Sequence, residues 1–289
     1  MKVNLKAYAK INLILKVENT REDGFHNLQS LVSTVDLYDK VTLSMRKDKK
    51  INLKVSGLRE YVYNCIPEED NAYKAVKLYM EEYDTYGADI WVHKNIPLRS
   101  GMGGSSACAS AVLVAMEKLC NKGADLPALA NRLGSDTNYL LKGGWAKLSG
   151  RGDLVEYLPI KHKLQVVAIF NEGGVDTAKC FKEYEKKSMF NGNTPDNRAI
   201  DGFIQSLVND NPDYKYCVND LQAVAQEINP EVKRSVEFLQ SLSPECVFMT
   251  GSGATVCAMF SCEQLNLWAV EKCKKKGFDA CILNTVIPK

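Results

Sequence analysis

The 289-residue chain is short of the features that define several protein classes. It has 9 prolines and no low-complexity tract, which excludes collagen-like and linker-dominated chains. Its 37 basic and 35 acidic residues nearly cancel, so no overall field suits it to nucleic acid or to a membrane surface. An anionic ligand must therefore be held by a local site. No apolar run reaches the ~18 residues of a spanning helix, and the N-terminus alternates Lys and Asn with apolar residues in place of a signal-peptide core. The 10 cysteines are scattered, with no C-x-x-C pair and only 3 histidines, a poor fit to a zinc centre. Most of them fall in apolar runs and read as reduced core thiols of a cytoplasmic protein.

What is present is an irregular alternation of strand and helix patterns. Residues 3 to 17 alternate apolar and polar, predicting a half-buried strand with Lys10 and Asn12 on its polar face. Residues 41–45 and 51–55 repeat the alternation about a charged turn and predict a hairpin. Helical spacing follows in 70–86 and 105–121, then in 126–133, 177–187, 198–209, 220–228 and 231–242. Further strands are expected at 90–93, 164–170, 247–250 and 255–260, with two short ones about a turn at 150–153 and one at the end of the chain. This order predicts an α+β protein. Its length favours two halves, residues 1–160 and 161–289.

The stretch Pro97-Leu98-Arg99-Ser100-Gly101-Met102-Gly103-Gly104-Ser105-Ser106 lies between a predicted strand and a long helix. Glycines allow close backbone approach, and a helix start offers unpaired N–H groups with partial positive charge, so the combination suits a phosphate. No Lys follows the last glycine, so it is not a Walker A loop, and Ser106 at the sixth position breaks the dinucleotide pattern. A bland connector with Ser105 or Ser106 as helix cap is the competing reading. Asp136, in Gly134-Ser135-Asp136, is either a turn-stabilising carboxylate or a base for an alcohol, with Lys10 as its candidate partner. Gly251-Ser252-Gly253 is a tight turn that could close on a phosphate. Phe25 and His26 follow a polar loop and have the chemistry to stack on and read a nucleobase.

Taken in order, these segments resemble the GHMP kinase superfamily. The resemblance rests on Ala9-Lys10-Ile11-Asn12-Leu13, Asp23-Gly24-Phe25-His26, Asp70-Asn71, Ile96-Pro97 with its glycine loop and Gly134-Ser135-Asp136. It continues through Gly143-Gly144, Thr177 with Phe181, Asn219-Asp220-Leu221 and Thr250-Gly251-Ser252-Gly253. The Asp-Gly-aromatic-His segment is most similar to the branch that phosphorylates the 2-hydroxyl of a cytidine diphosphate-linked methylerythritol in non-mevalonate isoprenoid synthesis. The resemblance implies a two-domain fold, ribosomal-S5-like then ferredoxin-like, acting as a monomer or homodimer on a small molecule with ATP and Mg2+. It makes Asp136 the proton acceptor and Lys10 its charged partner. ATP would be held by Lys94, Pro97, Gly101, Met102, Gly103, Gly104, Ser105 and Ser106. Phe25 and Phe181 would sandwich cytosine, His26 would read its edge, Asn12 and Thr177 would touch substrate, and Gly251, Ser252 and Gly253 would lie near phosphate. The chain departs from the family pattern in having one glycine fewer in the loop, in Ala107-Cys108 after the serines, in Phe25 and in Thr137-Asn138-Tyr139. A kinase of the same mechanism on another alcohol and a non-catalytic metabolite-binding protein are the rival readings.

Overall fold

The computed structural model describes all residues except 1, 23, 58–65, 188–197 and 289; Asp23 and Cys65 thus lie outside the described residues. Two sheets packed face to face carry the molecule. The first is built on two long strands, β1 (Lys2–Thr20) and β2 (His26–Met45), paired antiparallel. β3 (Asn52–Gly57) and β4 (Ala88–Lys94) extend it on the β2 side, and β5 (Ala146–Ser149) with β6 (Leu154–Tyr157) joins the other half of β2. The hairpin expected of residues 41–55 does not form: β4 pairs with β2 over Lys40–Met45 and takes β3 in parallel on its far edge. The charged turn serves this insertion, because Arg46 donates to both Asp48 and Asp89, tying the end of β2 to β4.

Three helices cover one face of this sheet. They are α1 (Asn71–Tyr83), α2 (Gly104–Cys120) and α3 (Leu126–Asn131), joined by the single turn α4 (Thr137–Leu140). Asp70 starts α1 by accepting from the Ala72 amide, a conventional side-chain N-cap. The small residues Ala107, Ala109, Ala111 and Ala115 let α2 lie close on Ala7, Val41, Ile90 and Val92. The opposite face packs on the second sheet, β7 (Gln165–Ile169), β9 (Cys246–Met249), β10 (Val256–Met259) and β11 (Ala280–Asn284).

That sheet runs β11-β7-β10-β9 and is antiparallel throughout, the order of a β-α-β-β-α-β ferredoxin-like unit. Its outer face is covered by α5 (Thr177–Lys187), α7 (Gln222–Ile228), α8 (Pro230–Ser241) and α9 (Glu263–Lys275), while α6 (Arg198–Val208) sends Ile200 and Phe203 into the layer between the sheets. The short strand β8 (Val218–Asn219) crosses back to pair with β1 at Ile14 and Leu15. Among the described residues, no helix is long and apolar enough to cross a membrane.

One irregularity in β1 positions the site. Val3, Leu5 and Ala7 pack under the helices, whereas Ala9, Ile11 and Leu13 pack toward the second sheet, and the β1–β2 register shifts between Tyr8 and Lys10. Bulges re-aim side chains in this way. The predicted polar face of the strand is consequently not a solvated one: Lys10 is only 4% exposed and Asn12 only 2%.

Candidate functional site

A cavity of about 1090 Å³ opens between the glycine loop, the middle of β1, and α5. Its chemistry end is defined by Lys10. The Lys10 ammonium lies 3.2 Å from Asp136 Oδ2 and donates to Asn12 Oδ1 at 2.6 Å. Asp136 precedes α4, yet its side chain makes no capping hydrogen bond, so the turn-stabilising reading of this carboxylate fails. Both residues line the cavity, but the Asp136 side chain is 26% exposed and that of Lys10 only 5%. A carboxylate beside a buried ammonium can accept a proton from an alcohol with positive charge held nearby.

The glycine loop is placed from two sides. Lys10 N donates to Met102 O at 3.0 Å, and Ala254 N and Thr255 N donate to Arg99 O and Ser100 O, each at 3.1 Å. Gly101, at φ +76°, lies so close to Thr250 O that a Cβ there would collide with it. Gly103, at φ +72°, is the N-cap of α2, and a Cβ on it would sit 3.2 Å from Lys10 Cγ. No side chain caps this helix start, so neither Ser105 nor Ser106 plays the capping role, and both line the cavity. The first amides of a 17-residue helix therefore face the space beside Lys10 and Asp136.

Lys94 and Pro97 line the same cavity, but Lys94 is not a free cation: it is ion-paired with Asp39. Asp39, fully buried, also accepts from the amides of Asn95 at 2.7 Å and Ile96 at 2.9 Å. Cys108 donates to it at 3.3 Å, and burial pushes this thiol up to about 12, so it stays neutral. Asp39 thus fixes the entry to the glycine loop, a role its sequence position did not declare. Its only signal is an acid in a strand whose neighbours Val41 and Leu43 are core.

The opposite end of the cavity is aromatic. His26 stacks on Phe181 with ring centroids 5.2 Å apart and planes at 27°. Phe25 is 51% exposed, with the Arg151 guanidinium 5.5 Å over its ring. The ring against Phe181 in this structure is therefore His26, and Arg151 is a cavity cation that the sequence reading missed. Thr177 Oγ1 and Ser252 Oγ are hydrogen-bonded at 2.8 Å, joining the start of α5 to the 251–253 turn. Asn219 holds that turn from behind, donating to Met249 O at 2.6 Å and Gly251 O at 2.8 Å. Asn12, Phe25, His26, Thr177, Phe181, Gly251, Ser252 and Gly253 all line the one cavity with Lys10 and Asp136. The atypical Thr137 and Tyr139 are buried behind Asp136 and do not line it.

Comparison with known proteins places this geometry. Residues 70–145 match the profile of the GHMP kinases N terminal domain. The chain is 31% identical to the 4-diphosphocytidyl-2-C-methyl-D-erythritol kinase of Clostridium beijerinckii over 98% of this chain and 100% of that one. Its identity to the enzyme of the same name from Clostridium perfringens is 35%, covering 89% of this chain and 88% of the other. A crystal structure of 4-(cytidine 5'-diphospho)-2C-methyl-D-erythritol kinase superposes with a TM-score of 0.79 at 26% identity, covering 98% of both chains. Homoserine kinase from Cytophaga hutchinsonii, at 16% identity and a TM-score of 0.72 over 99% of this chain and 95% of its own, shares the fold. The chain is a phosphotransferase of the two-domain GHMP kinase fold and belongs to the 4-diphosphocytidyl-2-C-methyl-D-erythritol kinase family.

Proposed function

We propose that the protein transfers the γ-phosphoryl group of ATP to the 2-hydroxyl of 4-diphosphocytidyl-2-C-methyl-D-erythritol. The observation that carries this reading is the Lys10–Asp136 pair, set between a helix start at one end of the cavity and the His26–Phe181 ring pair at the other. Phosphoryl transfer asks mainly for alignment and charge neutralisation. Asp136 takes the proton of the attacking hydroxyl; Lys10 keeps the carboxylate oriented and offers its charge to the transferring group. The amides of Gly103 to Ser106 receive nucleotide phosphates, with Gly101 and Met102 shaping the loop and Lys94 and Pro97 flanking its entry.

Phe25, His26 and Phe181 form the nucleobase end, Thr177 and the 251–253 turn lie between the two ends, and Arg151 adds positive charge beside Phe25. Mg2+ takes hard oxygen ligands and travels largely on nucleotide phosphates and water. Among the described residues no cluster of three His, Cys, Asp or Glu side chains is arranged for a metal, whereas the Ser106 hydroxyl at the cavity wall is a donor of the right kind. When bound, the cation supplies charge neutralisation on the phosphates. The halves 1–160 and 161–289 meet at this cavity in our reading, which rests on the second sheet beginning with β7 at Gln165.

An ADP-release assay over a panel of alcohols tests the proposal. Turnover with the cytidyl substrate well above that with homoserine, mevalonate or galactose is expected. No turnover with the cytidyl substrate overturns it.

A further inference from the structure

Asn12 faces the cavity beside Lys10, and its type and place suggest a substrate contact. The hydrogen bonds around it argue otherwise. Ser30 Oγ donates to Ile14 O at 2.7 Å, which leaves that hydroxyl to act as an acceptor, and Asn12 Nδ2 donates to it at 2.8 Å. This fixes which way the carboxamide points. Its oxygen is turned to Lys10 Nζ at 2.6 Å, to the Gly251 amide at 3.0 Å and to Thr250 Oγ1 at 3.4 Å. A carbonyl oxygen with two lone pairs and three donors has no capacity left for a ligand, which leaves only the second N–H of Nδ2 for one. The Asn12 amide is also engaged, donating to Thr250 Oγ1 at 2.9 Å.

We infer that Asn12 is a positioning residue for phosphoryl transfer: it fixes the Lys10 ammonium and ties it to the 250–251 turn of the second half of the chain. A lysine ammonium has three N–H donors. One is spent on Asn12 and one faces Asp136, so the third is directed by the other two. Lys10 projects from β1, while the turn that Asn12 also holds lies 239 residues away in sequence and packs against the glycine loop at Gly101. Asn12 thereby sets the lysine relative to the loop that receives the phosphates. The inference rests on the proposed role of Lys10 and not on the identity of the alcohol.

The test uses steady-state kinetics of the full-length enzyme with ATP and the cytidyl substrate. Asn12→Ala is expected to lower kcat by on the order of 100-fold, the scale of a misplaced catalytic group, with both KM values within about twofold of wild type. Ser30→Ala, which releases the amide without touching the cavity, should lower kcat by about 3- to 10-fold, again with unchanged KM. In the double variant the Ser30 effect should vanish, because both act through one side chain. Ser30→Thr, which keeps the hydroxyl, should restore kcat. If Asn12→Ala does not fold, the Ser30→Ala and Ser30→Thr pair carries the same test. A raised substrate KM with kcat preserved would make Asn12 a substrate contact and overturn the inference, as would multiplicative losses in the double variant or a Ser30→Ala enzyme with wild-type kcat. Wild-type turnover in the same assay checks the substrate separately; if another alcohol is the substrate, the same ratios are measured with it.

Discussion

The two ends of the cavity are built on opposite principles. Around Lys10 the polar side chains are held by protein: Asn12, Ser30, Thr250 and the glycine loop form one hydrogen-bonded block spanning both sheets. Around Phe25 the wall is made of rings and long side chains, with Phe25 itself half exposed and Arg151 resting on it. The difference follows from what each end must do. Charge developing in a transition state is stabilised best by groups already in place, since dipoles that must turn during the reaction give back part of their benefit. A nucleobase brings its own apolar faces, so the end that receives it needs surfaces and not a finished lattice of hydrogen bonds.

The contrast is broken most severely at Asp136. Asp136→Asn keeps the shape beside Lys10 and removes the proton acceptor, and kcat is expected to fall by about 10²- to 10⁴-fold, the usual worth of a positioned base. KM for both substrates should hold, and ADP release under saturating substrates measures it. Turnover near wild type would mean that the proton leaves by another route. Gly103→Val comes next. Its side chain would press on Lys10 Cγ and Cε and on Leu140 and would force a left-handed backbone on a β-branched residue. Overpacking of this kind costs about 1–3 kcal/mol. Because the strain falls on Lys10 as well as on the helix start, kcat and KM for ATP should both worsen, and a change in KM alone would show that the loop and the lysine are independent.

Much of this end was legible in the sequence because its signals are local. A glycine cluster before a long amphipathic pattern declares a helix start, and α2 begins at Gly104, one residue from the predicted position. The helices α1, α3 and α5 to α8 fall where their periodicity puts them for the same reason, while the single turn α4 carries too few residues to show one. What could not be read was set by partners distant in the chain. Residues 41–45 and 51–55 alternate like a hairpin, but pairing is decided by which strand lies between them, and β4 comes from 31 or more residues beyond. The alternation of β1 correctly predicts a strand, yet a period of two carries no information about the register shift at Tyr8 and Lys10 that buries the lysine. Asp39 and Thr250 act through groups 55 and 238 residues away, so nothing in their own neighbourhoods marks them.

The smallest expected effects lie at the aromatic end and sharpen the comparison there. Phe181→Ala removes a ring that packs on the core between the second sheet and its helices and stacks on His26, whereas Phe25→Ala removes one that is half in solvent. If both rings meet the base, each substitution should weaken substrate binding by about 1–3 kcal/mol, Phe181 toward the upper value and Phe25 toward the lower. That corresponds to a rise in substrate KM of about 5- to 150-fold with KM for ATP unchanged. Thermal melting separates the two contributions, since Phe181→Ala should lower the melting temperature and Phe25→Ala should not, its ring burying little against the protein. An unchanged substrate KM in Phe25→Ala, with the expected rise in Phe181→Ala, would confine base stacking to the His26–Phe181 side and leave the loop that carries Phe25 outside the binding surface.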